Sequence, residues 1–187
     1  MFTPSRARGI SLIELVMFIV IVGLALAGVL LVMSTTTKSS ADPLVRKQAL
    51  AAAESLLEEI ELQAFTYCLP TDPLATTATS ASGCTGGVGG SEDTLPTTTR
   101  VASAPSARDA NNVADYHKFS MTPIADVTGA TVGGLNGYTA SVNITQAGAS
   151  FSLPAADVLQ IDVRVQSGPT DLTLTGYRFR YAPKALP

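Results

Sequence analysis

The chain has 187 residues and a mass of 19.3 kDa, with 46% hydrophobic residues, a mean hydropathy of +0.29 and only 14% charged residues, against about a quarter in an ordinary soluble domain. That length suits one domain with a real core; a single histidine, His117, and two cysteines, Cys68 and Cys84, cannot supply the nitrogen and sulfur ligands of a typical zinc site. Twelve Lys and Arg against fifteen Asp and Glu, with a pI near 5.0, leave no basic patch for nucleic acid, and the absence of HExxH, CxxC, GxGxxG and GxxxxGK[ST] leaves no cofactor to expect.

The hydrophobic excess is concentrated at the N-terminus. Between Ile10 and Met33 the sole ionisable residue is Glu14, and the nineteen residues from Leu15 to Met33 are uncharged. As a helix they reach roughly 28 Å, close to the hydrocarbon thickness of a bilayer. Arg6 and Arg8 precede the run and would stay in the cytoplasm, leaving the rest of the chain outside it. A secretory signal peptide fits poorly, because the run exceeds the usual length of an h-region and no A-x-A site follows Met33. A plain single-pass anchor accounts for everything except Glu14, since a carboxylate near the bilayer centre costs roughly 2.5 to 3.5 kcal/mol, less near its edge, and needs a partner.

The stretch Arg8-Gly9-Ile10-Ser11-Leu12-Ile13-Glu14-Leu15, with the apolar run behind it, resembles the N-terminal signal of type IV prepilins and type II secretion pseudopilins. That pattern is a short basic leader, Gly, an aromatic or aliphatic residue, Thr or Ser, Leu, Ile or Val, Glu, then a hydrophobic helix; Ile10 stands where Phe is commonest. The resemblance implies cleavage between Gly9 and Ile10 by a prepilin peptidase, loss of residues 1–9 as a leader, and N-methylation of Ile10. A residue without a side chain at Gly9 lets an enzyme approach the backbone. The resemblance also implies that Glu14 serves assembly: in a fibre its carboxylate would face the Ile10 amine of a neighbour, pairing two charges that are each expensive to bury alone. Losing Arg6 and Arg8 would leave ten basic and fifteen acidic side chains and move the formal charge from -3 to -5.

Beyond the transmembrane and assembly helix of Ile10 to Met33, residues 34–65 are expected to form a polar break and an amphipathic helix. STTTKSSA has little helix propensity, and Asp42-Pro43 reads as an N-cap with proline at the first helical position. Either a helix restarts there or a bent one continues. From Ala49, the residues Ala53, Leu56, Leu57, Ile60 and Ala64 fall on one face, with Lys47, Glu54, Glu58 and Glu61 opposite. Gly23 and Gly28 would permit close helix packing or local unwinding in the membrane segment, or are simply tolerated there.

Residues 66–112 are rich in Thr, Ser, Ala and Gly and read as loop, with 85–107 as linker. Cys68 and Cys84 stand sixteen positions apart in or beside it. If the domain faces an oxidising compartment, as the topology implies, they pair as a disulfide contributing roughly 3 kcal/mol through loop closure. Residues 113–187 turn to strand chemistry. Tyr138 to Ile144 and Leu159 to Val165 alternate apolar with polar residues, and Tyr177, Phe179 and Tyr181 alternate with Arg178 and Arg180, so each strand is expected to bury one face. Ser167 to Asp171 reads as a hairpin turn, and the phase change between Leu172, Leu174 and Tyr177, Phe179 predicts a bulge at Gly176.

The expected fold is therefore α+β and pilin-like, with a long N-terminal helix, half transmembrane and half amphipathic, packed on a C-terminal antiparallel β-sheet. The segment DPLVRKQALAAAESLLEEI, the loop cysteines, Asp115-Tyr116-His117 and the YRFRY strand are similar to the minor pilins of mannose-sensitive haemagglutinin pili. The hydrophobic helix lacks the proline that many major pilins carry, which also fits a minor subunit.

No catalytic residue is expected. Asp115, His117 and Ser120 supply the residue types of a triad, yet within six positions one strand could not converge them on a substrate. Glu54, Glu58, Glu59 and Glu61 read as a solvated helix face or a subunit contact, and Asp109, Asp115 and Asp126 match no EF-hand spacing, so no metal is expected. The expected function is a structural minor pilin subunit of the inner membrane with a periplasmic domain, later part of an extracellular pilus. Its partners would be the prepilin peptidase and methyltransferase, membrane lipid, and other pilin subunits through the helix. A minor pseudopilin of a type II secretion system, and a membrane-anchored periplasmic binding or enzymatic domain, are the alternatives.

Overall fold

The computed structural model describes residues 11–87, 95, 99–101 and 106–181, with the side chains of 35–42 outside that description. Two compact units divide the chain, Met1–Leu44 and Val45–Pro187. Helix α1, Leu12–Glu61, contributes to both, and Pro43 lies inside it. The helix thus runs on through the polar segment rather than restarting at Asp42. Proline removes one backbone donor, but the turns on either side keep theirs.

Within the first unit, every residue from Leu12 to Ser34 is exposed. This stretch is long and apolar enough to cross a membrane. No polar face interrupts it, so nothing in the sequence directs one side toward a protein core.

The second unit is helix on sheet, an α+β arrangement. Here α1 is rich in Ala, Leu and Glu, which lose little side-chain freedom in a helix, and its buried stripe is Ala49, Ala53, Leu56 and Ile60. Four antiparallel strands follow, in the order β1 (Ser120–Met121), β2 (Thr139–Gln146), β3 (Val158–Ser167) and β4 (Thr170–Phe179), each hydrogen-bonded to the next. Ala140, Val142 and Ile144 of β2 and Leu159, Ile161, Val163 and Val165 of β3 join the helix stripe in one core. Their alternation with polar residues is why these segments are strands with a single buried face. Between Val113 and Tyr116 the chain forms a 3-10 turn rather than the strand expected there, because the Asn112 side chain accepts from the Val113 N–H and Asp115 accepts from the Asn112 N–H.

The hairpin joining β3 to β4 is a two-residue turn over Gly168 and Pro169, with Gly168 at φ +54°, the position of such turns that favours glycine. The register behind it is unbroken: Val165 faces Leu172, Val163 faces Leu174 and Ile161 faces Gly176. There is no bulge at Gly176. The two-residue period instead carries Leu172, Leu174, Gly176, Arg178 and Arg180 inward. Tyr177, Phe179 and Tyr181, expected to be buried, lie on the outer face and are exposed. A β-carbon at Gly176 would stand 2.4 Å from Glu61 Oε1 and 2.9 Å from Leu57 Cδ1, so the close approach of α1, and not a break in pairing, accounts for the glycine. The inward arginines are accommodated at the sheet margin: Arg178 donates to the carbonyl of Gln63 at 3.4 Å, and the Arg180 guanidinium lies over the rings of Phe65 at 4.4 Å and Tyr67 at 4.7 Å.

Candidate functional site

Gly9 and Ile10 lie outside the described residues. Glu14 occupies the first turn of α1 and is exposed, where a carboxylate also complements the positive end of the helix dipole. Behind it follow the uncovered apolar side chains, from Leu12 at 80% exposure to Met33 at 65%.

In the second unit the most elaborate polar cluster centres on Glu59, which α1 presents beside its buried stripe. Arg108 donates to both carboxylate oxygens, Nε to Oε1 and Nη2 to Oε2, each at 2.7 Å, and the Tyr116 hydroxyl donates to Oε1 at 2.5 Å. Arg108 also donates to the carbonyl of Ala125 at 2.9 Å. The Arg108 and Glu59 side chains are 6% and 15% exposed. Burial first, and the Glu59 carboxylate second, push the Tyr116 phenol up from its ordinary range. Glu59 thus does not belong to a solvated face: its carboxylate is engaged by protein donors and ties two loops to the helix. The sequence signal was slight, one of two arginines, Arg100 and Arg108, in a stretch that otherwise reads as loop. That stretch is itself partly docked, for Val101 is buried and the Arg100 N–H donates to the Asp115 carbonyl at 3.1 Å.

Beside this cluster, the helix and the 121–135 segment enclose an open groove of about 490 Å³, walled on one side by Ala51, Ala52 and Ser55 and on the other by Ile124, Val127 and Val132.

Cys68 and Cys84 form a disulfide with their Cα atoms 5.4 Å apart. The loop they close is fastened a second time by Asp72, whose carboxylate accepts from the Leu74 N–H at 2.8 Å, the Thr85 N–H at 2.9 Å and the Thr85 hydroxyl at 2.7 Å. The Leu74 N–H, then the Thr85 hydroxyl, hold its acid form below the usual carboxylate range. Cys68, Asp72 and Cys84 are also the group of potential metal ligands drawn together among the described residues, but the sulfurs bond each other and the carboxylate is occupied by protein donors.

Asp115, His117 and Ser120 do not assemble as a relay. The Asp115 carboxylate takes Arg100 at 3.1 Å and the N–H groups of Asn111 and Asn112; His117 Nδ1 accepts from the Ile144 N–H at 3.2 Å; the Ser120 hydroxyl donates to the Ala140 carbonyl at 3.3 Å. Burial, then Lys118, lowers the pKa of His117, consistent with a neutral ring accepting at Nδ1. Of the acids considered for calcium, Asp115 is committed as above, and Asp126 accepts from the Thr128 hydroxyl and the N–H groups of Thr128 and Ala130 in its own turn.

On the outer face of the sheet, Phe151 meets Tyr177 at 5.4 Å and Phe179 at 5.1 Å, both edge to face. Tyr177 and Phe179 pair across β3 with Gln160 and Val158. No family model, no curated protein and no solved structure matches this chain.

Proposed function

We propose that the chain is a pilin-type structural subunit, held first in the inner membrane with its second unit in the periplasm and then built into a fibre through α1. One observation carries the reading: an uncovered apolar helical segment of membrane length, with Glu14 in its first turn, heads a chain whose second unit is an ordinary helix-on-sheet fold. The Gly9-Ile10 junction supplies the processing point, and prepilin peptidase and methyltransferase are the implied partners. A fibre would give the apolar segment a protein environment in place of lipid, and the Ile10 amine of a neighbour would pair with Glu14, two charges that are each costly alone. The absence of the usual helix proline and the likeness to minor pilins of mannose-sensitive haemagglutinin pili favour a minor subunit. A minor pseudopilin of a type II secretion system shares the same N-terminal chemistry.

Mass spectrometry of the protein from cells with and without prepilin peptidase tests the reading. The expected mature N-terminus is methylated Ile10 when the peptidase is present and an unprocessed leader when it is absent. An N-terminus at Met1 in both strains, or beyond Met33, overturns it. Glu14→Ala is expected to abolish incorporation into fibres; unchanged incorporation would refute the charge-pair argument and favour a membrane-anchored domain of another kind.

A further inference from the structure

Strand β4 forms one edge of the sheet, hydrogen-bonded to β3 and, among the described residues, to no further strand. The two-residue turn over Gly168 and Pro169 makes Ser167 and Thr170 a hydrogen-bonded pair, and such pairs alternate along an antiparallel ladder. Leu172, Leu174 and Gly176 therefore spend their backbone groups on β3, while Thr173, Thr175 and Tyr177 turn theirs outward. The Arg180 N–H, in phase with the first set, donates to the Asp157 carbonyl at 2.9 Å. Among the described residues nothing bonds the outward backbone groups of Thr173, Thr175 and Tyr177. The opposite edge, β1, is two residues long, a length that discourages pairing with another chain. Strand β4 by contrast has ten residues, an unbroken register, and neither lysine nor proline within it, so it lacks the devices that usually close an edge.

The two faces beside this edge differ in chemistry. On the outer face Tyr177 and Phe179 are exposed and meet Phe151 edge to face. On the inner face α1 crosses β4, where Leu57 and the Glu61 carboxylate lie against Gly176. Glu54, one step of seven residues earlier, falls within about 20° of Glu61 around the helix, on the flank that leads from the buried stripe past the edge. Among the described residues neither carboxylate has an ion-pair partner. We propose that the β4 edge takes an extended segment of a different protein as an added strand, a segment in which apolar residues alternate with lysine or arginine. Its backbone bonds Thr173, Thr175 and Tyr177. Its apolar residues enlarge the ring cluster on the outer face, and its basic residues lay their stems along Leu57 and bring their charges to Glu61 and Glu54. A second copy of β4 would present Leu172, Leu174 and Gly176 to these carboxylates, with its Arg178 already held by the Gln63 carbonyl, and would leave them uncompensated; the charge therefore selects another chain. The inference concerns the second unit alone and does not depend on how the N-terminal helix is processed or assembled.

The test uses the full-length chain in nonionic detergent and two short synthetic peptides with blocked ends, valine alternating with lysine in one and with glutamate in the other. Amide hydrogen exchange is read residue by residue along β4. In the protein alone, the N–H groups of Thr173, Thr175 and Tyr177 should exchange at least about tenfold faster than those of Leu172, Leu174 and Gly176; uniformly slow exchange means that the edge is already covered and overturns the proposal. The lysine peptide should slow the first set by about tenfold or more and leave the second set unchanged. It should also bind at least about tenfold more tightly than the glutamate peptide, and equal binding of the two overturns the charge selection. Thr175→Pro removes one outward N–H and sets a ring on the edge, a change that edge strands accept; it should abolish binding of the lysine peptide, and unchanged binding overturns the edge as the site. If Thr175→Pro loses its strand circular dichroism, the exchange pattern of the unaltered chain decides instead. Glu54→Lys combined with Glu61→Lys, both outside the strand ladder, should reverse the preference between the peptides, and an unchanged preference overturns the role of these carboxylates. Protection of Thr173, Thr175 and Tyr177 that grows with protein concentration in the absence of peptide identifies a second copy and overturns the separate partner.

Discussion

Arg108→Met removes the guanidinium that holds Glu59 by two bonds of 2.7 Å and the Ala125 carbonyl by one of 2.9 Å. Because the two side chains are 6% and 15% exposed, the carboxylate left behind cannot recover full hydration. Breaking a buried pair from one side costs about 3 to 5 kcal/mol. Glu59 keeps the Tyr116 hydroxyl and some access to water, so we expect a loss of about 2 to 4 kcal/mol. The control is Arg164→Met: Arg164 pairs with Asp171 on the outer face, but those side chains are 50% and 45% exposed, and exposed pairs contribute about 0 to 1 kcal/mol. Urea unfolding of the disulfide-intact chain in nonionic detergent, followed by tyrosine fluorescence, compares the two. A triple variant, Arg108→Met with Glu59→Leu and Tyr116→Phe, should recover part of the loss, since the buried carboxylate and phenol go with the guanidinium and the Ala125 carbonyl is the group that still loses its Arg108 donor. If Arg108→Met costs no more than Arg164→Met, the cluster does not fasten these loops and the reasoning from burial is wrong.

Cys68→Ser should lower stability by about 3 kcal/mol under oxidising conditions, the loop-closure value for a sixteen-residue separation, and the difference from wild type should vanish in reductant; thiol labelling before and after reduction checks the pairing. Gly148→Ala should be more damaging than Gly176→Ala. A β-carbon at Gly148 would meet the Pro154 carbonyl oxygen at 1.8 Å, which is backbone, whereas at Gly176 it meets the movable ends of Glu61 and Leu57; overpacking of the second kind costs about 1 to 3 kcal/mol, and equal melting temperatures would contradict the contrast. His117 titrates below its ordinary value when folded. The unfolded chain therefore binds the proton more readily, and stability is fully present above about pH 6.5 and declines as pH falls toward the folded pKa. His117→Gln should flatten that slope between about pH 5 and 7, measured by urea midpoints.

The α+β arrangement was legible because its signals are local. The run from Leu15 to Met33 has no charge to place, the helical stripe of Ala49, Ala53, Leu56 and Ile60 repeats with the turn, and apolar residues alternate with polar ones from Ala140 to Ile144 in β2 and from Leu159 to Val165 in β3. Strand β4 misled for a reason that is not local. Alternation reveals that one face is buried but not which, and large aromatic rings are the natural guess for the inside. The helix approaches β4 too closely for that, so the small Gly176 faces in and Tyr177 faces out.

The sequence by itself determined a membrane-length apolar segment, a glutamate in its first turns, one amphipathic helix and a set of strands, because composition and periodicity are properties of neighbouring residues. Only the tertiary structure decided which acid matters in the folded unit. Glu54, Glu58 and Glu59 look alike along the chain, yet Glu59 alone turns toward Arg108 and Tyr116, 49 and 57 positions away. Contacts of that separation depend on how loops return to the helix, and no spacing in the sequence records it.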